Sequence, residues 1–311
     1  MDPAVRRLRT TECRPAKKFA IFDTTHTLIA RMIPQVNPFL ARSPSKAGAD
    51  GSEAGLTRLE VMVILATVAF LAVLVLPAGS AMPSTVHRAA CADNLRRIMG
   101  AAILYASDNG DHLPHSSWGD VSTSPGPDNW CYAAVLPDGR VIPSVRSQFE
   151  VEPQLEFYRA GQLAPLLGAP EVLMCPLDWR QSQMEKRSLY LSRALKLTSY
   201  KMNGAVIGYG QLPGSIGPIR SGRTYRLTAF RPDDVAMWEA DEWIPFRFRD
   251  AAARPDEQQT SRHESGGWVA RFDGAVEHLG TPGFLLMSGE GARPKTLPNR
   301  LWCNPGTEDG R

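Results

Sequence analysis

The feature that most constrains this chain of 311 residues is an apolar run from Val61 to Leu76, in which only Thr67 is not apolar. Counted from Leu56 the segment has 21 residues, or roughly 31 Å of helix at about 1.5 Å per residue, which matches the core of a bilayer. One carboxylate, that of Glu60, directly precedes the apolar run, where a charge near the bilayer is costly. The run predicts one membrane-spanning helix, and a buried core helix is the alternative.

The residues before this run are basic and indicate an orientation. The first 55 residues carry nine Lys or Arg against five Asp or Glu. Positive flanks stay in the cytoplasm, so residues 80–311 are expected on the other side. A cleaved secretory signal is disfavoured, because the run is long and begins about sixty residues into the chain. The predicted location is the inner (cytoplasmic) membrane, crossed once, with a cytoplasmic N-terminus and a periplasmic or extracytoplasmic head.

The sequence from Gly55 to Glu60, Gly-Leu-Thr-Arg-Leu-Glu, followed by the apolar run, resembles the processing site of type IV prepilins and type II secretion pseudopilins. The resemblance implies that a prepilin peptidase cuts between Gly55 and Leu56 and methylates the new N-terminus. Glu60 would then be the fifth residue of the mature chain. Pro77 would be the twenty-second, where pilin helices often carry a kinking proline.

Glu60 fits an assembly role on physical grounds. Cleavage would leave a cationic α-amino group on Leu56 at the membrane surface. The carboxylate of Glu60 in a neighbouring subunit would neutralise this amine, which offsets the desolvation of both charges and favours one axial register. The alternative is that Glu60 lies at headgroup depth beside Arg58.

Residues 77–110 predict an amphipathic helix, the second half of the assembly helix. Small and apolar side chains recur there every three or four positions, and Asn109-Gly110 forms a helix stop. The predicted inner face consists of Ala89, Ala90, Asn94, Leu95, Ile98, Ala101, Ala102, Tyr105 and Ala106.

Residues 111–311 predict a globular head in which proline and glycine pairs separate short strands. About 200 residues suffice for one core. The predicted fold class is α+β and pilin-like: a long N-terminal helix, with a membrane part (56–76) and an amphipathic part (77–110), packed on a small antiparallel sheet. The candidate strands are Arg223–Thr228, Val235–Glu239 and Trp243–Phe248.

A hairpin is predicted near the end of the head. Two alternating runs, Trp268–Phe272 and Ala275–Leu279, flank Asp273-Gly274, a pair that favours a type I′ turn. Nine residues separate His263 from this pair. That spacing is similar to the H-x9-D-G signature of pseudopilin-like proteins of planctomycetes and verrucomicrobia.

Two further stretches resemble the same family. One is Cys91-x-x-Asn94-Leu on the amphipathic helix, and the other is Cys175-Pro176-x-Asp in the head. These matches occur in chain order over residues 55–114, 174–204 and 263–279. The signature residues that the resemblance implies are Cys91, Asn94, Cys175, Pro176, His263, Asp273 and Gly274.

His263, Asp273 and His278 are candidates for a metal or catalytic site, with Asp241 or Glu242 as a further ligand. Asp273 is needed by the turn, and the sequence has no HExxH or GxSxG motif. We therefore expect no catalytic residue, no metal and no cofactor, with His263 bonded to the hairpin backbone. Structural calcium on head loops stays open, with no ligands assigned.

Five cysteines are present, of which Cys13 falls in the leader. The other four would face an oxidising compartment, where a disulfide can form and three full pairings exist; buried thiols are the alternative. A net charge of +3 without a basic aromatic stripe argues against nucleic-acid binding. The seven tryptophans are expected to be core or loop anchors, although an exposed cluster would suit carbohydrate. The four cysteines of the head side are Cys91, Cys131, Cys175 and Cys303.

The sequence therefore predicts a structural, non-enzymatic pseudopilin-like subunit of a type II secretion or type IV pilus-like fibre involved in protein export. Its leader would be residues 1–55. The expected partners are the prepilin peptidase, other pseudopilin subunits, inner-membrane components of the secretion system and the bilayer. Two alternatives remain: an uncleaved bitopic protein that displays a substrate- or carbohydrate-binding head, and a membrane-tethered metal-dependent enzyme.

Overall fold

The computed structural model of the chain describes residues 57–75, 84–213, 222–289, 294 and 296–311, with the backbone alone for 71–75 and 84–86. The expected leader, the cleavage pair Gly55 and Leu56, and Pro77 lie outside these residues. Contacts divide the chain into two units, Met1–Val75 and Leu76–Arg311.

In the first unit, helix α1 (Arg58–Val75) has 18 residues, about 27 Å of helix. It starts with a capping box: Thr57 Oγ1 accepts the Glu60 N–H at 3.3 Å, and Glu60 Oε2 accepts the Thr57 N–H at 2.8 Å. Across the described residues, no helix has both the length and the apolar character needed to cross a membrane. The two end residues of the predicted span, Leu56 and Leu76, are outside that part of the chain.

The second unit is organised around helix α2 (Ser84–Asp108). The chain leaves it through two left-handed residues, Gly110 (φ 64°) and Asp111 (φ 71°), and the Asp111 N–H bonds the Ala106 carbonyl at 2.8 Å. This is the helix stop that the Asn-Gly pair predicts. Ala89, predicted on the inner face, is exposed. The buried face consists of Cys91, Ala92, Leu95, Ile98, Met99, Ala101, Ala102 and Ala106.

A five-stranded sheet packs against α2 through its strands β2, β4 and β5. Its order is β3-β1-β2-β4-β5, and neighbours are antiparallel except β1 and β3, which are parallel. The sheet is therefore mixed, and the prediction of a purely antiparallel sheet is wrong. The combination of helices and strands is confirmed. The strands are β1 (Tyr200–Asn203), β2 (Val235–Glu239), β3 (Ala252–Ala253), β4 (Gly266–Arg271) and β5 (Val276–Gly280).

Short helices fill the connections around the sheet. Most of them lie between α2 and β1, and one follows β5 directly. They are α3 (Glu152–Arg159), α4 (Ala164–Leu167), α5 (Pro176–Gln183), α6 (Arg187–Leu191) and α7 (Thr281–Ser288), with 3-10 turns at Pro170–Leu173, Gly204–Gly210, Leu227–Ala229, Pro245–Arg249 and Pro255–Glu257.

Of the three single strands predicted in the head, only Val235–Glu239 is confirmed, as β2. Residues 223–228 form a loop that enters the 3-10 turn Leu227–Ala229, and residues 243–248 enter the turn Pro245–Arg249. In the second of these segments, Pro245 has no N–H to donate to a neighbouring strand, and its ring fixes φ near the helical value. The large apolar side chains of Trp243 and Phe246 also mislead, because both are largely exposed.

The predicted hairpin is present as β4 and β5, with Ala270 opposite Val276. Its turn differs from the predicted type I′. Only Gly274 has a positive φ, 84°, whereas a type I′ turn needs two such residues. The Gly274 N–H bonds Arg271 O at 3.0 Å, and Asp273 Oδ1 accepts the Ala275 N–H at 2.9 Å. The connection is thus a three-residue loop that ends in a left-handed glycine.

Candidate functional site

Two thiols, an imidazole and a carboxylate converge under helix α2. The Cys91 and Cys175 sulfurs are 2.9 Å apart, Cys175 Sγ is 3.5 Å from His263 Nε2, and that nitrogen is 3.0 Å from Glu239 Oε1. All four ligand atoms lie within 4.8 Å of one another, and all four residues are buried. We call these residues the Cys–His–Glu cluster.

Four different elements supply the cluster. Cys91 lies on the buried face of α2, and Glu239 ends strand β2. Cys175 has extended backbone (φ −64°, ψ 124°) because it precedes Pro176, which opens α5. His263 lies in the turn before β4, where its N–H bonds the Gly266 carbonyl at 3.1 Å. The sheet and two helices thus meet at these side chains.

Asn94 fastens α2 beside the cluster. Its Nδ2 donates to the Met174 carbonyl at 3.1 Å and to the Tyr200 hydroxyl at 3.3 Å. The Cys175 N–H donates to Ser199 Oγ at 3.1 Å. Asn94 therefore links three segments: its own helix, the residue before Cys175 and the start of β1.

The cluster is a buried polar site with shifted pKa values. Burial opposes protonation of His263, but hydrogen bonds to Cys175 and Glu239 raise its pKa to about 9. Burial likewise opposes ionisation of Glu239, yet the hydrogen bond and charge of His263 keep the pKa of that carboxyl below its ordinary value. Burial raises the pKa of the Cys175 thiol. In its reduced form the site therefore holds an imidazolium–carboxylate pair at neutral pH, and burial keeps the Cys175 thiol protonated.

An ion network adjoins the cluster. Arg193 binds Asp178 through two bonds of 2.8 and 2.9 Å, and Arg262 lies 3.3 Å from Asp178 and 2.8 Å from Glu242. Lys186 also pairs with Glu242. Burial would raise the pKa of Asp178, but the two guanidinium groups hold it below the ordinary range. Because Arg262 precedes His263, one loop serves both groups.

The side chains of His263, Asp273 and His278, the candidate metal ligands, do not meet. Asp273 lies in the hairpin turn and pairs with Arg271. His278 Nε2 meets the backbone carbonyl of His263 at 2.6 Å, not its imidazole. His263 was expected to bond the hairpin backbone through its ring, but its ring faces Glu239 and Cys175 instead.

Glu239 is the member of the cluster that sequence reasoning missed. It lies 24 residues before His263 and belongs to no local motif. The available signal was its place at the end of an apolar strand, since a carboxylate that follows a buried strand needs a hydrogen-bonding partner. Glu242, weighed as a metal ligand, belongs to the ion network, and Asp241 pairs with Arg247 at 2.9 Å.

The tryptophans divide between core and surface. Trp130, Trp238 and Trp302 are buried, as expected of core anchors. Trp243 and Trp179 are exposed, at 59% and 36%. The ring of Trp179 packs edge-on against Tyr190 with centroids 5.9 Å apart, and Lys186 Nζ lies 4.7 Å from the ring centroid of Trp243.

Two kinds of chemistry are open to the Cys–His–Glu cluster: oxidation of its thiols, and coordination of a metal that accepts sulfur and nitrogen. Comparisons of the chain with protein families, with curated proteins and with solved structures found no match.

Proposed function

We propose that the chain is a structural pseudopilin-like subunit, anchored in the inner membrane through residues 56–76 and assembled into a type II secretion or type IV pilus-like fibre. Its head would lie outside the cytoplasm. The observation that carries the proposal is α1: an apolar helix whose described side chains are all exposed and whose first turn holds Glu60 beside the expected cleavage point.

The surface of α1 is unlike that of a helix in water. A soluble surface helix keeps a polar face, but residues 61–70 include only one polar side chain, Thr67, and its hydroxyl bonds the Val63 carbonyl at 2.7 Å. Leu59 and Phe70 are 77% and 65% exposed. Lipid or the helices of other subunits would cover such a surface.

The position of Glu60 suits both a cap for its own helix and a charge partner for the amine of a neighbouring subunit. Its carboxylate closes the capping box with Thr57, so it lies at the N-terminal end of α1, where the helix dipole favours negative charge. Cleavage after Gly55 would place the new amine on Leu56, next to Thr57. The carboxylate can then cap its own helix and face the amine of a neighbouring subunit.

The arrangement of the head supports the same proposal. In pilins the second half of the long helix packs on the globular head. Here α2 packs on strands β2, β4 and β5 with its buried face. This packing of α2 is what the resemblance implies for the second half of a pilin helix.

Processing at Gly55 is the first test. In membrane extracts we expect mass spectrometry to find the N-terminus at methylated Leu56. Gly55→Val should abolish processing and leave an intact N-terminus, because the resemblance implies cleavage after this glycine. Gly51→Val, a matched change in the same leader, should be processed normally. An intact N-terminus in the unaltered protein would refute the proposal.

The charge of Glu60 is tested separately from its cap. Glutamine can close a capping box, so Glu60→Gln keeps the cap and removes the charge, whereas Thr57→Ala removes the cap and keeps the charge. If the charge pairs subunits, Glu60→Gln should lose most cross-linked oligomers in the membrane while Thr57→Ala retains them. The reverse pattern would show that Glu60 acts only as a cap. N-terminal mass spectrometry of both variants controls for processing.

A further inference from the structure

We propose that Cys91 and Cys175 form a disulfide in the mature protein and that this bond fastens α2 covalently to the head. The inference rests on the proposed function in one respect, since such bonds persist in compartments outside the cytoplasm. Of the three full pairings that four cysteines allow, only one contains Cys91–Cys175.

Contact geometry selects this pair. The Cys91 and Cys175 sulfurs are 2.9 Å apart, closer than two sulfur atoms in ordinary contact. Both residues are fully buried, so no solvent separates them. Among the described residues Cys131 and Cys303 are also buried, but no sulfur–sulfur contact involves them.

The same geometry disfavours a metal bound by the cluster. Two thiolates bound tetrahedrally to zinc at about 2.3 Å stand roughly 3.7 Å apart, which exceeds the observed 2.9 Å. The Glu239 carboxylate is already engaged: Oε1 meets His263 Nε2 at 3.0 Å, and Oε2 accepts the Trp268 N–H at 2.9 Å. A metal would have to open the sulfur pair and displace this bond.

The oxidation is a thiol–disulfide exchange. The oxidant is a second disulfide, of an oxidoreductase or of oxidised glutathione. Cys175 attacks it as the thiolate to form a mixed disulfide, and Cys91 then displaces the second oxidant sulfur. One S–S bond breaks and one forms, and the two protons lost by the cysteines end on the oxidant's thiols. Because both sulfurs are buried in the folded head, the exchange precedes the docking of α2.

The bond would join residues 84 positions apart. A loop of this length restricts the unfolded chain strongly, so the bond stabilises the folded head. It also places a covalent link between the head and the helix that follows the anchor. Tension on the anchor would then reach the head through a bond as well as through packing.

Peptide mapping of the full chain, extracted from membranes in detergent, tests the pairing. After alkylation without reduction we expect a linked peptide pair that contains Cys91 and Cys175. Reduction with phosphine in denaturant, followed by refolding without an oxidant, should lower the melting temperature of the head by roughly 10 °C. Reduction should leave the melting temperature of the double variant Cys91→Ala, Cys175→Ala unchanged, because that variant has no such bond to break.

Two results would overturn the inference. One is alkylation of both cysteines as free thiols in the unreduced protein. The other is one equivalent of zinc by elemental analysis with both thiols free, which would assign the cluster to metal binding. Mass spectrometry of the N-terminus of the same sample distinguishes failure of the disulfide from failure of the proposed function. Methylated Leu56 with free thiols refutes only the disulfide, and an intact N-terminus with the linked peptides refutes only the processed pilin-like subunit.

Discussion

Replacement of Asp178 by asparagine is expected to lower the free energy of unfolding of the head by about 3–5 kcal/mol. The substitution keeps the shape of the side chain but removes the carboxylate that Arg193 and Arg262 share. Two buried guanidinium groups then lose their common counter-charge. Arg262 still pairs with Glu242, whereas Arg193 keeps an amide oxygen and the rings of Phe248 and Tyr190 in place of a carboxylate. Chemical denaturation should show the loss as a lower midpoint with an unchanged slope.

Asp138→Asn is the matched control. Asp138 also pairs with an arginine, Arg140, but both side chains are about half exposed. An exposed pair contributes little, because water and salt screen it. We expect no measurable change in melting temperature for this variant. Equal effects of the two substitutions would show that the Asp178 network does not stabilise the head.

The stability of the head at low pH also tests the role of Asp178. The pKa of Asp178 is lowered in the folded head, so its stabilising effect is present above the unfolded value of about 3.9. This effect is lost as the pH falls through the lower folded pKa. The Asp178→Asn variant lacks the group, so its stability should fall less steeply below pH 4 than that of the unaltered protein.

The second large effect is expected from Leu95→Ala, with a loss of about 3 kcal/mol. Leu95 is fully buried on α2 and belongs to the main core. Removal of its branched side chain leaves a cavity that a close-packed interior fills only in part. The loss should appear as a fall of roughly 10 °C in melting temperature.

Leu104→Ala provides the comparison on the same helix. Leu104 is 58% exposed, so the substitution is chemically identical but removes little buried surface. Alanine is also a good helix former, and we expect stability close to that of the unaltered protein. A loss as large as that of Leu95→Ala would mean that the exposed side of α2 is covered in the native protein, as it would be by another subunit.

The sequence predicted those elements whose signals are local. The hairpin follows from Asp273-Gly274 between two alternating runs, and α2 follows from a period near 3.6 that ends at Asn109-Gly110. Strand β1, Tyr200–Asn203, has no such signal because all four residues are buried. Its state is set by its neighbours β2 and β3, which periodicity does not report.

The Cys–His–Glu cluster was beyond sequence reasoning for a related reason. Cys91, Cys175 and His263 were each identified through family resemblance, but 84 and 88 residues separate Cys175 from the other two. No spacing rule joins positions so far apart. Their meeting depends on how α2 crosses the sheet, and Glu239 enters only because β2 pairs with β4.

The packing of α2 has a consequence for how the chain folds during synthesis. This helix is synthesised early, but two of the strands that cover it, β4 and β5, end only at Gly280. Strand β2 in turn depends on a still later residue, because the Val235 N–H donates to the Arg300 carbonyl at 2.7 Å. At about 5–20 residues per second, the stretch between α2 and the end of β4 takes roughly 10–30 s to synthesise. Over that time α2 can be covered only in part, by earlier elements such as α4, the turn Pro170–Leu173 and α5, and the part of its apolar face that packs on β4 and β5 has no native cover. Nascent chains of this protein are therefore expected to depend on chaperones, and truncation before the hairpin should yield chains that aggregate.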